Sequence, residues 1–236
     1  GQGIQVGGLI NNVSTQAKLL GINELDAETS NNFTIGLGGK LTNTLSFTVD
    51  YYSIAVKDRI VLGSEIGATG DATNQLDILL TQNNLSDVSY FSNALDTRTS
   101  GLDVVISKRD IKLGTGVLDL NLSGNYTITN ERDGDVKDIA LVANAGQSVV
   151  NATQEALFFT SRPETKWILG ANYEIGKFGL NLNNTYFGKT TFKQQGMSND
   201  LRTEFTPKVV TDLGINFNAT EKFTIALNVN NLLNVL

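Results

Sequence analysis

The sequence predicts an all-β fold: about eight strands of an antiparallel, up-and-down transmembrane β-barrel. Three observations carry that expectation. Apolar and polar residues alternate with a period of two along most of the chain, the connections alternate between tight and long, and aromatic residues collect at both ends of the alternating stretches.

Composition narrows the function classes first. The 236 residues suffice for one large all-β domain or two small ones. Cys and His are both absent, which removes disulfides, thiolate metal sites, the commonest metal ligand and the usual general base. No Ser-His-Asp or Cys-His constellation can form, so no enzyme, catalytic residue, metal or cofactor is expected. The net charge is -6 and the 18 Lys and Arg are scattered, which argues against nucleic acid as a partner. No run approaches the roughly 20 apolar residues of a membrane helix, and the mean hydropathy is -0.08. That near-neutral value suits a barrel as well as a soluble protein, because a membrane strand exposes only every second side chain to lipid.

In order along the chain, residues 1–27 are rich in Gly, Asn and Ser and read as a loop with one short helix, Ser14 to Leu20, capped by Ser14 and stopped by Gly21. Residues 28–236 read as barrel. Strands are expected at Asn32 to Leu37, Leu41 to Lys57 and Thr97 to Arg109. In the next one, Leu118, Leu120, Leu122, Tyr126 and Ile128 share a face, opposite Asp119, Asn121, Ser123, Asn125, Thr127 and Thr129. The pattern recurs at Trp167 to Ile175, Phe178 to Tyr186, Val209 to Phe217 and Phe223 to Val229. Several of these reach the roughly 9 to 11 residues that a tilted strand needs to cross a bilayer.

The connections are expected to be tight at Gly38-Gly39-Lys40, Arg109 to Lys112, Gly176-Lys177 and Asn218 to Lys222. They are expected to be long at Leu62 to Asp96, Arg132 to Ser161 and Lys189 to Pro207. A sheet with tight turns on one rim and long loops on the other has rims facing different compartments. Aromatics give a second signal. Tyr51, Tyr52, Tyr126, Trp167, Tyr186 and Phe187 sit near the long loops, and Tyr173, Phe178, Phe217 and Phe223 near the tight turns, as expected of two interfacial girdles. The other face, with Asn181, Asn183, Thr185, Lys208, Asp212 and Asn216, must be wet.

Several short motifs then resemble one family. The run Asn93-Ala-Leu-Asp-Thr-Arg-Thr-Ser-Gly-Leu-Asp103 is similar to the stretch of TonB-dependent receptors in which a Gly precedes an acidic residue at a strand start. Leu45 to Ile60, LSFTVDYYSIAVKDRI, resembles that family's D-x-Y-x-I-x-I-x-D-x-I strand. Arg162-Pro163 before Lys166-Trp167, Tyr186-Phe187-Gly188, Val210 to Leu213 and Asn230-Asn231-Leu232-Leu233-Asn234 follow in the family's order. Their wording is most similar to that of members from the Bacteroidota.

The resemblance implies the C-terminal part of an outer-membrane barrel of roughly 22 strands in a Gram-negative bacterium, with the N-terminal plug and the final strand absent from this chain. It implies active import of a bulky scarce nutrient, a ferric siderophore before cobalamin, glycans or peptides. The implied partners are the plug and the rest of the barrel, TonB acting through the plug, outer-membrane lipid and a bulky small-molecule ligand. A secreted all-β sandwich that binds a surface or a carbohydrate, and a passive porin, are the alternative readings. The start at Gly1 without a basic, apolar leader and the stop after Phe223 to Asn230 are expected of a piece of a longer chain.

No ligand-binding residue is assigned from the sequence. Glu131-Arg132-Asp133-Gly134-Asp135 lacks the later ligands of a Ca²⁺ loop and reads as a solvated loop tip. Lys57-Asp58-Arg59 reads as a charged rim before an anion contact. Asp71 to Gln82 reads as a short loop helix with Leu76, Leu79 and Leu80 on one side. The sequons at Asn32 and Asn151 carry no function in a bacterial barrel, and Gly36, Gly38 and Gly39 form no phosphate-binding signature.

Overall fold

Successive Cβ atoms of an extended chain point to opposite faces, so a period-two sequence sorts itself into an apolar and a polar surface once strands pair in register. The computed structural model describes residues 6–194, 196 and 202–235. In chain order its elements are β1 (Gly7–Ile10), α1 (Thr15–Leu20), β2 (Thr29–Thr42), β3 (Leu45–Leu62), β4 (Ile66–Gly67), α2 (Gln75–Gln82), β5 (Asp87–Leu113) and β6 (Gly116–Arg132). They continue with α3 (Ala140–Asn144), α4 (Ala152–Phe159), β7 (Thr165–Ile175), β8 (Phe178–Phe187), β9 (Thr190–Phe192), β10 (Thr203–Phe205), β11 (Lys208–Thr220) and β12 (Phe223–Val229).

Eight of the strands form one path in the order β12-β11-β8-β7-β6-β5-β3-β2. Every step is antiparallel between consecutive long strands, which is an up-and-down meander. Register confirms the two faces. Leu37, Val49, Val104, Gly124, Trp167, Tyr186 and Val209 lie opposite one another in successive strands. The neighbouring file on the other face is Gly36, Asp50, Asp103, Asn125, Lys166, Phe187 and Lys208.

Among the described residues nothing covers the apolar face. Leu37 is 68% exposed, Leu227 58% and Phe178 50%, where a sandwich would bury them against a second sheet about 10 Å away. Two polar residues on this side, Thr211 and Asn184, bond to each other at 2.7 Å. From Phe178, which packs on Phe217 at 4.8 Å between centroids, to Tyr186 is eight steps along β8. At about 3.3 Å per step that is roughly 26 Å along the strand, and a tilt of about 40° leaves close to 20 Å of height, near the apolar band of an outer-membrane barrel.

The buried core lies elsewhere. It runs from Ala17 and Ile22 through Val61, Ile66, Leu76, Leu80, Val88, Tyr90 and Leu95 to Val142, Val149 and Val150. All of these belong to a cap on the long-loop side. Its frame is the first part of β5, which rises past the sheet and pairs with β1 in parallel and with β4 antiparallel.

Several expected boundaries move. Gly38-Gly39-Lys40 is not a turn: it pairs with Thr48, Phe47 and Ser46 inside β2 and β3, and the turn comes at Asn43-Thr44, where Thr42 Oγ1 accepts from Leu45 N at 3.0 Å. A Cβ at Gly38 would come within 3.0 Å of the cross-strand Thr48 methyl, while one at Gly39 would make only ordinary contact with the Phe47 ring. Arg109 to Lys112 is a bulge, with Asp110 at φ 57 and its N–H bonded to Asp119 Oδ1 at 2.8 Å, and the turn falls at Gly114. Leu62 to Asp96 is shorter as a loop than expected, because Asp87 to Asp96 is strand. Residues 1–27 carry β1 besides the Ser14-capped helix.

Tyr52 and Phe187 belong to the polar face rather than to a girdle, and Ile128 leaves the apolar file at a bulge beside Gly101. Within 189–207, β9 and β10 pair, while residues 195 and 197–201 lie outside the described part.

Candidate functional site

Where the polar face meets the long loops, a recess of about 810 Å³ opens. Ile54, Val56, Thr97, Thr99 and Thr127 form its floor, and the end of α4 with Ser161 to Glu164 forms its roof. Its construction begins at Lys57-Asp58-Arg59. The register between β3 and β5 slips between Val56 and Arg59, and Asp58 takes φ 54, a left-handed conformation that Asp tolerates better than a branched residue. The bulge points Arg59 at the recess, with its guanidinium 5.4 Å from the centroid of the Phe158 ring.

Hydrogen bonds fix that bulge. Asp96 Oδ1 accepts from the Asp58 N–H at 2.8 Å, and Lys137 Nζ donates to Asp58 Oδ1 and Asp96 Oδ1, both at 2.7 Å. The bonds from Asp58 first, then Asp96, hold the Lys137 ammonium above the ordinary lysine pKa. The tripeptide expected as a charged rim therefore divides: Asp58 is a structural pin and Arg59 a recess residue.

The roof is anchored as firmly. The Asn151 side chain caps α4 by accepting from Thr153 N at 3.0 Å and Gln154 N at 3.1 Å. Asn130, on β6, donates to the Phe158 and Phe159 carbonyls at 3.3 Å each, and its Oδ1 accepts from Thr99 Oγ1 at 3.1 Å. The helix end is thus tied to the sheet, and Phe158 and Phe159 stand over the recess beside Arg162. Sequence reading missed this pair. The sequence does carry a signal for it, Asn151 followed by Glu155 in the first turn, a helix start that coincides with the sequon.

Below the recess the wet face continues as a hydrogen-bonded ladder. Asn125 donates to Asp103 Oδ1 at 2.8 Å and to the Tyr52 hydroxyl at 3.1 Å. Gly101 lies under that Tyr52 ring, and a Cβ there would strike it, which accounts for the glycine in Thr-Ser-Gly-Leu-Asp. Asp212 accepts from the Asn231 N–H at 2.8 Å, while Asn231 exchanges bonds with Val235 at 2.9 and 3.0 Å. The last two motifs, Val210 to Leu213 and Asn230 to Asn234, meet there. Asp133 pairs with Arg98 at 3.0 Å, and no group of three or more acidic residues is arranged to hold a metal among the described residues.

A family model described as TonB dependent receptor-like, beta-barrel, matches residues 1–232. No curated relative matches the chain. Among solved structures, an F3-3 variant of the FrpB iron transporter from Neisseria meningitidis is similar with a TM-score of 0.58 at 16% identity, over 98% of this chain and 28% of its own. A mutant of the ferric enterobactin receptor PfeA from Pseudomonas aeruginosa gives 0.55 at 15%, over 89% and 26%. The siderophore receptor PirA from Acinetobacter baumannii gives 0.56 at 14%, over 87% and 28%. The chain spans under a third of the length of each.

Proposed function

The chain belongs to the TonB-dependent receptor β-barrel family of the Gram-negative outer membrane, and from that premise we propose that it forms one wall of a transporter importing a ferric siderophore. The observation that carries this reading is the recess under α4, where Arg59, Arg162, Phe158 and Phe159 converge above a polar face. Chelated ferric iron in such complexes is bulky and commonly anionic. Guanidinium groups supply charge and planar donors, and aromatic faces supply apolar contact, on a recess within the usual ligand-site range of roughly 300 to 1,000 Å³. The wall would hold and pass the ligand, while energy would come through a plug and TonB.

The structural neighbours named for iron and siderophore transport are consistent with that substrate class, and the motif wording with a bacteroidotal source. The test is uptake of iron-55 chelates by cells carrying the full-length protein. Uptake that requires TonB and falls at least tenfold on joint Arg59→Ala and Arg162→Ala substitution supports the reading. Uptake indifferent to TonB refutes it and favours passive diffusion.

A further inference from the structure

The cap contains a second cavity, separate from the recess under α4, of about 310 Å³. Leu20, Ile66, Leu76, Leu80 and Val142 line it, and all come from the cap's core or pack on it. Exposed Gln16, Gln82 and Asn83 mark its opening, beside Leu19, which is 78% exposed. The cavity is open to solvent at that mouth, and its inner walls are apolar side chains whose contacts an apolar ligand would satisfy better than water. Water gains little there, since a bound water needs two to four polar partners and these walls offer few.

Tyr90 completes the lining. Tyr90 is 1% exposed, and its hydroxyl has no hydrogen-bond partner among the described residues. Tyr90 and Ile139 also line an adjoining polar cavity, so the ring stands in the wall between the two. A buried, unpaired hydroxyl carries a free-energy cost that a ligand with a hydrogen-bonding atom would remove.

We infer that this cavity is a binding site for a small apolar molecule bearing one hydroxyl or carbonyl, its hydrocarbon body against Leu76, Leu80 and Val142 and its oxygen accepting from Tyr90. Such chemistry is offered either by a compact ring compound or by an alkyl chain with a polar end. The site does not depend on the transport reading. Its test reads binding rather than uptake, so the two can fail separately.

The experiment is calorimetric titration of the full-length protein in lipid nanodiscs with 2-naphthol and, separately, with 1-decanol, each against empty nanodiscs. One equivalent of either probe bound to protein above the lipid blank is expected, and which probe binds tells ring from chain. Val142→Trp, which fills the cavity, and Leu19→Arg, which places a charge at its mouth on an already exposed position, should each weaken binding at least tenfold. A loss shared by both is not a folding artefact of the first. Tyr90→Phe removes a hydroxyl that has no partner among the described residues, so it should leave folding intact and weaken binding about three- to tenfold. Absence of binding by both probes, or binding that ignores all three substitutions, overturns the site.

Discussion

The wall from β2 to β12 and the cap above it hide their apolar side chains by opposite means. The wall has no core of its own: Leu37, Ile225 and Leu227 are more than half exposed and await lipid. The cap buries Ile66, Leu76, Leu95 and Val149 to 2% exposure or less, as a water-soluble domain does. One chain therefore answers to two solvents, and the same substitution should have different consequences on either side of the boundary near Tyr51 and Tyr126.

The largest contrast is expected from Leu76→Ala in the cap, which should cost roughly 2 to 5 kcal/mol of local stability through the cavity it creates. Hydrogen exchange should speed up in residues 61–95 and 140–150 and stay unchanged in β7, β8 and β11. Equal acceleration in both regions would erase the boundary. Next comes a paired test on the wall: Leu182→Arg, four residues from each aromatic end of β8, should cost about 2 to 4 kcal/mol in bilayer, while Asn183→Arg beside it costs little. Reversible folding into liposomes measures both.

How much of this was legible in the sequence follows the same boundary. The strands at Trp167 to Ile175 and Phe178 to Tyr186 were readable to within two residues because a two-sided sheet writes its pattern directly into the chain. The Ser14-capped helix was readable because its cap is local. The cap's core was not. Val61, Val88, Val142 and Val149 come from four separate segments without a shared period, and only tertiary packing brings them together. The recess was half visible: Arg59 stood in a charged tripeptide that was noticed, but its bulge and its partner Phe158 depend on a register slip that no local signal marks.

Glycines misled for a related reason. Gly38 and Gly39 read as a turn, whereas both lie inside a strand, where Gly38 sits close to the cross-strand Thr48, and Gly124 is packed more tightly still beneath the Trp167 ring. Gly124→Val should therefore cost about 1 to 3 kcal/mol by overpacking, measured in the same folding assay, although the position is in a strand that β-branched residues favour.

The smallest effect expected is at Lys137, whose pairs with Asp58 and Asp96 are partly exposed. Lys137→Met should cost no more than about 1 kcal/mol, seen as faster proteolysis within 133–150. Because its pKa is raised in the folded state, the ammonium's contribution is complete below the ordinary lysine value and disappears as pH rises through the higher, folded one. Protection in this loop should accordingly hold across neutral pH and fall in strong alkali, and it should fall again in acid, once pH drops through the Asp96 carboxyl's pKa, which the Lys137 bond holds below the ordinary carboxylate range.

The central claim, that one face of the wall meets lipid and the other meets water, is tested most directly by spin labels placed singly at Leu180, Asn181, Leu182 and Asn183 in the full-length protein in bilayers, with any cysteine outside these 236 residues replaced by serine. Labels at 180 and 182 should relax faster with oxygen, which partitions into lipid, and those at 181 and 183 with a water-soluble nickel chelate. A period-two exchange of accessibility is the predicted result, and equal accessibility of all four positions to the nickel reagent would contradict it.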